Sequence, residues 1–191
     1  MSIKIIEEPI TALSAYGKVS IAFLVSCRLR IEPVAGGLGG FKLSEEKVEP
    51  PYIKDYDQNR DEGPTRWAKQ WDISNWGVLS AFDEAQRVGG AVVAWNTPGV
   101  HMLEERVDLA VLWDIRVDPG YRAQGIGSQL FAKVVEWSRH HGCRLLKIET
   151  QNNNTGACRF YARQGCVLGG ILRWAYPDLP EEVQMLWYKT L

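Results

Sequence analysis

Residues 112–131 restrict the fold of this chain more than any other segment does. The stretch begins with an apolar, strand-like run and continues into the turn signal Asp118-Pro119-Gly120. A glycine-containing stretch at residues 122–127 then leads directly into an amphipathic helix. The first N–H groups of a helix have no intrahelical acceptors and lie at the positive end of the helix dipole. The arrangement therefore predicts an anion site suited to a phosphate or pyrophosphate.

The spacing of the glycines distinguishes this loop from two common phosphate-binding motifs. A Walker loop would require a lysine after its last glycine, whereas Ser128 follows Gly127. A dinucleotide-binding fingerprint would require a third glycine at the position of Leu130. The pattern that remains is Arg-x-x-Gly-x-Gly, in which Arg122 and Gln124 add donors at the rim. A tight turn whose glycines serve only steric needs stays open as the alternative.

A second pattern follows the amphipathic helix. Residues 144–150 read as a strand, and residues 151–154 read as a turn and helix cap. The spacing Asn-x-x-Ala-x-x-x-Tyr-x-x-x-Gly then begins at Asn154 and ends at Gly165, a residue type that suits the end of a helix. This pattern predicts a short helix with one tyrosine in its second half.

Together the two motifs resemble the acetyl-CoA pyrophosphate loop and the fourth helix of the GNAT N-acetyltransferase superfamily. The strings PYIKDY, WDI, ETQNNN, ACRFY and LWY further resemble its streptothricin acetyltransferase branch, from about residue 50 to the C-terminus. The resemblance implies an α/β (α+β) GNAT fold in a single domain, residues 1–191. Such a fold has a mixed, mostly antiparallel sheet flanked by helices, and its fourth and fifth strands splay apart to admit the cofactor.

The resemblance also implies where acetyl-CoA binds. The backbone of Ile115 and Val117 would hydrogen-bond the pantetheine amides. The pyrophosphate would bind the glycine loop, at Arg122, Gln124, Gly125, Ile126, Gly127 and Ser128. Asn154 would touch the cofactor arm, and the Tyr161 hydroxyl would face the thioester sulfur and protonate the leaving thiolate. A tyrosine packed against the sheet is the alternative for Tyr161.

The amine acceptor requires a base, because most alkyl amines are protonated at neutral pH. Asp114, in the predicted strand 108–117, is the first candidate, Glu149 is the second, and a water chain is the third. Trp113 and Asp114 point to opposite faces of a regular strand, so both reach the cleft only if a bulge intervenes. If Asp114 faces away from the cleft, it is structural. No metal is expected, since the mechanism requires none and the sequence shows no ligand cluster.

The expected substrate is a primary amine of a small cationic molecule, such as a streptothricin-like antibiotic. An acidic run beside the PPYIKDY string would attract a cation, and a solvated loop is its alternative reading; the run consists of Asp55, Asp57, Asp61 and Glu62. Two other functions stay open, a protein lysine or N-terminal acetyltransferase and a non-catalytic acyl-CoA-binding domain. A homodimer is compatible with all of them.

Composition limits the partners and the compartment. The 22 basic and 23 acidic residues give a formal net charge of −1, which argues against nucleic acid and membrane partners. No apolar run approaches the ~18–20 residues that span a bilayer, and Glu7 and Glu8 interrupt any signal-peptide core. The four cysteines lack metal-ligand spacing. These features predict a cytoplasmic protein whose cysteines are buried free thiols.

Hydrophobic periodicity and turn signals predict the remaining elements. A first strand is expected at residues 18–31, a flexible loop at 36–40, and a polar loop or short helix at 45–71. Strands are then expected at 76–82, 89–95 and 108–117, a helix at 125–141, a strand at 144–150, a helix at 154–164, and strands at 166–168 and 183–189. This order makes 108–117 the fourth strand and gives a meander followed by a β-α-β-α-β run.

Overall fold

The computed structural model describes residues 2–58 and 63–191. The chain divides into two compact units. The first comprises Met1–Ile21, Asp55–Ile148 and Tyr188–Leu191, and the second comprises Ala22–Lys54 and Glu149–Trp187. The predicted pyrophosphate loop lies in the first unit, and the predicted acid Tyr161 lies in the second.

The first unit is built on an antiparallel sheet. Numbered in chain order, its elements are β1 (Ile3–Glu8), α1 (Leu13–Tyr16), α2 (Trp67–Gln70), β4 (Gly77–Asp83), β5 (Gln86–Trp95), β6 (Leu109–Val117) and α3 (Ile126–His140). The strands lie in the order β1-β4-β5-β6, each antiparallel to the next, and the start of β7 (Leu145–Gln151) runs parallel to β6. A parallel pair requires a crossover connection, and α3 provides it.

The second unit contains a separate two-stranded ribbon. Its elements are β2 (Phe23–Pro33), β3 (Phe41–Lys54), α4 (Thr155–Arg163), β8 (Val167–Leu172) and the first part of β9 (Gln184–Thr190). β2 and β3 pair with each other in antiparallel register, whereas β9 lies between β7 and β8. Helix α4 contacts β2 and β8. The strings ETQNNN and PYIKDY therefore fall at the end of β7 and of β3.

Helix α3 forms where the apolar spacing predicts it and buries that face against the sheet. Ile126, Leu130, Val134 and Trp137 are all buried. Gly77 of β4 faces the Trp137 ring, because a Cβ atom at this position would lie 2.6 Å from the ring. The glycine thus allows the indole to pack directly on the strand backbone.

Strand β6 loses its β7 neighbour partway along its length. In the described part of the chain, the ladder between the two strands runs from Leu109 with Leu145 to Leu112 with Ile148 and stops there. The last residues of β6 continue to pair with β5 on the other side. The predicted splay therefore begins directly after Leu112.

Two elements differ from the expectation. The sequence analysis missed β1, and it placed a loop or short helix where the 14-residue strand β3 runs, so β6 is the sixth strand and not the fourth. The strand expected at residues 18–31 is β2, which starts at Phe23. β3 carries charged residues on both faces and is largely exposed. It therefore lacks the apolar alternation that reveals a half-buried strand.

The glycine stretch at residues 36–40 is a loop, as expected, and it connects β2 to β3 as a hairpin. The backbone N–H of Val34 donates to Gly40 O at 2.9 Å, and Gly39 N donates to Val34 O at 2.9 Å. These bonds close the turn between β2 and β3. The other predicted strands and helices are confirmed to within a few residues at their ends.

Two predictions drawn from composition concern the state of the cysteines and the presence of membrane-spanning helices. All four cysteines are free; Cys143, Cys158 and Cys166 are buried as expected, and Cys27 is half-buried. No helix in residues 2–58 and 63–191 is long and apolar enough to cross a membrane.

Candidate active site

The loop between β6 and α3 is fixed by hydrogen bonds from its own side chains. Asp118 Oδ1 accepts from Gly120 N at 2.9 Å, and Gln124 Nε2 donates to Gly120 O at 3.2 Å. Arg122 Nε donates to Val117 O at 3.0 Å, which ties the guanidinium to the end of β6. Burial lowers the pKa of Arg122 from its usual value, although an arginine remains charged. The loop is therefore ordered around a fixed positive charge.

Helix α3 begins without a side-chain cap, at a glycine in the left-handed region. Gly125 has a φ of 82°, a conformation that side chains disfavour. A Cβ atom on Gly125 would meet no atom within 4 Å, so the space beside the helix start is open. The Gln129 N–H donates to Gly125 O at 3.1 Å, the first bond of the helix, and the positive end of the helix dipole lies at this open space. This geometry fits the pyrophosphate that the motif predicts.

A β-bulge in β6 brings Trp113 and Asp114 to the same side of the sheet. One residue of β5 pairs with Asp114 and the next pairs with Leu112, so Trp113 is the extra residue. Asp114 accepts a hydrogen bond from the Tyr16 hydroxyl, and Tyr16 belongs to the hydrophobic cluster against which Trp113 packs. The bulge that the sequence analysis required is present.

Arg116 is buried at the centre of a polar cluster next to this bulge. Its Nε and Nη2 atoms donate to the two Asp114 oxygens at 2.9 and 2.6 Å. Its Nη1 atom donates to Asp57 Oδ2 at 2.6 Å and to Val19 O at 3.0 Å. Only 1% of the Arg116 side chain and 7% of the Asp114 side chain are exposed. The guanidinium thus joins strand β6 to two other segments of the first unit.

The side chains of this cluster stabilise one another's protonation states. Burial opposes the charge of Arg116, but hydrogen bonding and the charge of Asp114 together raise its pKa. Burial, and then the negative charge of Asp114, raise the pKa of Tyr16 well above its usual value. Tyr16 therefore stays protonated and donates to Asp114, whose two oxygens both accept hydrogen bonds. This places Asp114 in a structural ion pair.

Four of the eight tryptophans, Trp67, Trp71, Trp76 and Trp113, gather into one cluster in the first unit. The ring centroid of Trp113 lies 5.0 Å from that of Trp76 and 5.2 Å from that of Trp71. Trp67 and Trp76 are buried, whereas Trp71 and Trp113 are half-buried. The two half-buried indoles form an aromatic surface beside the bulge, suited to apolar or cationic groups.

In the second unit, helix α4 carries Asn154 and Tyr161. Asn154 is the N-cap, as predicted, and its Oδ1 accepts from Ala157 N at 3.1 Å. Tyr161 lies about two helical turns further along the same face, is 4% exposed, and packs edge-on against Phe160. The helix ends before Gly165, whose φ of 75° is that of a helix-terminating glycine.

Glu149 lies in a small polar group at the end of β7. Its Oε1 atom accepts from the Tyr176 hydroxyl and from Gln151 Nε2, the latter at 3.3 Å. Gln151 Nε2 also donates to the Tyr176 hydroxyl at 2.9 Å. Burial, and then the charge of Glu149, raise the pKa of Tyr176, so this tyrosine remains a donor. Among the residues that the structure describes, both side-chain hydrogen bonds to Glu149 end on Oε1.

The splayed β6, the uncapped helix start and the glycine loop define a class of protein: acetyltransferases that bind coenzyme A at such a loop. The family model for the acetyltransferase (GNAT) family matches residues 42–166. The chain therefore belongs to the GNAT family, and it is an acetyl-CoA-dependent N-acetyltransferase.

Similar proteins point to one branch of this family. The chain is 32% identical to a streptothricin acetyltransferase of Escherichia coli over 78% of its length and 76% of that protein. It is 28% identical to streptothricin acetyltransferase A of Bacillus subtilis, over 78% of its length and 80% of that protein. A proposed streptothricin acetyltransferase from Bacillus anthracis, solved in complex with acetyl coenzyme A, matches at 27% identity and a TM-score of 0.74. That match covers 100% of this chain and 98% of the other.

Sequence reasoning missed the partners that surround the predicted residues. Arg116 follows Asp114 by two positions, and residues two apart in a strand share a face, so this pair could have been found. Tyr16 and Tyr176 lie 98 and 27 positions from the carboxylates they bind, and no local pattern marks them.

Proposed function

We propose that this acetyltransferase modifies a primary amine of a small cationic molecule, with a streptothricin-type antibiotic as the lead substrate. The similarity to streptothricin acetyltransferases, over 76% of one such protein and 80% of another, carries the proposal. The aromatic surface of Trp71 and Trp113 supports it, because indole faces attract ammonium groups.

In this proposal the cofactor contacts follow the predicted residues. The pyrophosphate binds the loop from Arg122 to Ser128, where the open space beside Gly125 supports close backbone approach. The edge of β6 that β7 leaves unpaired supports pantetheine binding by Ile115 and Val117. Asn154 uses its oxygen as the helix cap and would offer its amide nitrogen to the cofactor arm.

The thioester supplies an activated carbonyl carbon, which the acceptor nitrogen attacks. Tyr161 would then donate a proton to the departing thiolate. Among the bases we favour Glu149 over Asp114, reversing the order from the sequence. Both Asp114 oxygens bind Arg116, whereas the hydrogen bonds to Glu149 end on Oε1. The hydrogen bonds from Arg116 and Tyr16 therefore leave Asp114 with fewer lone pairs to accept from an acceptor amine than Glu149 has.

The acidic run contributes less to this proposal than the sequence suggests. Asp57 pairs with Arg116, and Asp55 Oδ1 accepts from Asp57 N at 2.9 Å. Asp61 and Glu62 lie outside the described residues. A change at Asp57 would also break the Arg116 cluster, so Asp55→Asn alone is the cleaner test of whether this run attracts the amine.

A panel of amines tests the substrate assignment. We expect coenzyme A release from acetyl-CoA with streptothricin and with other small polycationic amines, and a Michaelis constant for the amine that rises with salt because screening weakens charge attraction. Turnover confined to peptides would assign the enzyme to protein acetylation. Turnover confined to a neutral aromatic amine would show that the tryptophan surface serves as an apolar pocket.

A Gly125→Val variant tests the pyrophosphate loop. The new side chain would enter the open space at the helix start and would disfavour the positive φ by ~1–2 kcal/mol. We therefore expect the Kd for acetyl-CoA, measured by calorimetry, to rise at least about tenfold, a change of ~1.4 kcal/mol. Gly142→Val is the matched control, since Gly142 has a φ of 76° and equally open space at the other end of α3. Equal affinities for both variants would remove the loop from the binding site.

A further inference from the structure

Tyr176 lies on the segment that connects β8 to β9, and this segment is anchored on the turn after β7. Leu179 N donates to Tyr176 O at 3.0 Å, so the chain turns directly after the tyrosine. At the end of the segment, Val183 N donates to Asn152 Oδ1 at 2.9 Å, and Asn152 N donates to Val183 O at 3.0 Å. Asn152 is only 3% exposed. A buried residue of the second unit therefore fixes the backbone that carries Tyr176.

The Tyr176 side chain contacts Glu149, the base of the proposed reaction. Its hydroxyl accepts a hydrogen bond from Gln151 Nε2 at 2.9 Å. A tyrosine hydroxyl has one proton, and it donates that proton to Glu149 Oε1. Gln151 Nε2 donates to the same Oε1 atom at 3.3 Å. The amide of Gln151 thus supports both the tyrosine and the carboxylate, and the three side chains form one closed group.

The two carboxylate oxygens of Glu149 have different contacts. Oε1 accepts from Tyr176 and Gln151, whereas Oε2 receives no side-chain hydrogen bond from residues 2–58 and 63–191. A glutamate side chain has several rotatable bonds and samples several rotamers unless a contact fixes it. Hydrogen bonds to one oxygen restrict the position of the carboxylate and leave the lone pairs of the other oxygen available to accept a proton.

We propose that Tyr176 is a positioning residue of the acetyl transfer. Its hydroxyl orients Glu149 through Oε1, so that Oε2 takes a proton from the ammonium group of the acceptor. The nitrogen keeps the electron pair of that N–H bond, the carboxylate becomes a neutral acid, and the free amine attacks the thioester carbon. Tyr176 keeps its own proton throughout. This role rests on the assignment of Glu149 as the base in the proposed function.

A Tyr176→Phe variant tests this role. Phenylalanine keeps the ring and removes only the hydroxyl of a half-buried side chain, so circular dichroism should show a retained fold. We expect kcat to fall about tenfold. This fall is smaller than the roughly hundredfold that a misplacement of about 1 Å can cause, because Gln151 still donates to Oε1. The Michaelis constant for acetyl-CoA should be unchanged, since the lost contact acts only on the base.

A double-mutant cycle with Glu149→Gln separates positioning from structural support. The two side chains act as one unit in this proposal, so the effects of their substitutions should not add. Tyr176→Phe should lower kcat about tenfold in the wild type but less than about twofold in the Glu149→Gln background, where no base is left to orient. An equal loss in both backgrounds would overturn the positioning role, because Tyr176 would then only support the surrounding structure.

Tyr52→Phe is the matched control. Tyr52 belongs to the same unit, and its hydroxyl accepts a hydrogen bond from Asn153 Nδ2 at 3.3 Å. The variant therefore also loses a hydroxyl that takes part in a hydrogen bond, but one with no link to Glu149, and we expect wild-type kcat. If Tyr52→Phe lowered kcat as much as Tyr176→Phe does, the loss of any such hydroxyl would explain the result, and the positioning role would be overturned.

The same measurements distinguish this role from the proposed function. If Glu149→Gln lowered kcat and Tyr176→Phe did not, the base would stand and only the role of Tyr176 would be refuted. Wild-type kcat in Glu149→Gln would refute the base and, with it, the role of Tyr176. If the enzyme acetylated peptides and no small cationic amine, the proposed substrate would be wrong, and the cycle measured with the peptide would still test Tyr176.

Discussion

An Arg116→Met variant is expected to lose about 3–5 kcal/mol of unfolding free energy in urea denaturation, because removing one partner of a buried ion pair leaves the other charge uncompensated. Methionine keeps the apolar stem of the side chain, so the change removes chiefly the guanidinium and its contacts. The uncompensated groups are Asp114, which is 7% exposed, and Asp57. The Val19 carbonyl also loses its donor. We expect the variant to bind acetyl-CoA weakly as well, since Arg116 lies between the two β6 residues assigned to pantetheine.

Arg106→Met is the control for this prediction. Arg106 pairs with Asp108 through the same two-bond geometry, at 2.9 and 3.1 Å, but both side chains are 40% exposed. An exposed pair contributes little because water solvates both charges when it breaks. The control should unfold close to the wild-type midpoint. If Arg116→Met and Arg106→Met unfolded at the same urea concentration, the buried cluster would not be a source of stability.

A Tyr161→Phe variant is expected to lower kcat about a hundredfold or more, the usual contribution of a general acid. The hydroxyl acts mainly when the thiolate leaves, so its loss should appear in the rate constant and not in cofactor binding. The Kd for acetyl-CoA should therefore match that of the wild type. Stopped-flow measurement of coenzyme A release, together with calorimetry, gives both quantities.

Tyr188→Phe serves as the matched control, because Tyr188 is half-buried on β9 and contacts Lys147 with its ring. Its removal should leave kcat unchanged. Wild-type turnover by Tyr161→Phe would exclude this residue as the acid. Glu149→Gln is the companion variant for the base, and it should lower kcat about a hundredfold or more, the usual contribution of a general base. Wild-type turnover by Glu149→Gln would return the role to Asp114 or to a water chain.

The parts of the site that the sequence predicts are those built from neighbouring residues. The loop, the glycine at positive φ, the start of α3 and the Asn154 cap each depend on contacts within a few positions of the chain. Their residue types and spacing are therefore sufficient to predict them. The fold class follows in the same way, since the order of apolar segments and turns distinguishes an antiparallel meander from a parallel sheet.

Other features depend on residues that are distant in sequence. The sequence makes Asp114 a candidate base because it is a carboxylate in the right strand. In the structure Asp114 pairs with Arg116 and accepts from Tyr16, and Arg116 also pairs with Asp57. These contacts make Asp114 part of the core. The hydrogen bond from Asn153 Nδ2 to the Tyr52 hydroxyl similarly joins the turn after β7 to β3, across 101 positions of the chain.

The sequence by itself determined the fold class, the glycine loop before α3 and the helix that carries Tyr161, because local backbone geometry and hydrophobic periodicity specify each of them. Only the tertiary structure decided which carboxylates are bound to a buried arginine, where the tryptophans meet, and that residues 41–54 form a strand. The physical reason is that burial, ion pairing and aromatic packing depend on contacts across many positions of the chain. Such contacts leave no periodic signal in the sequence.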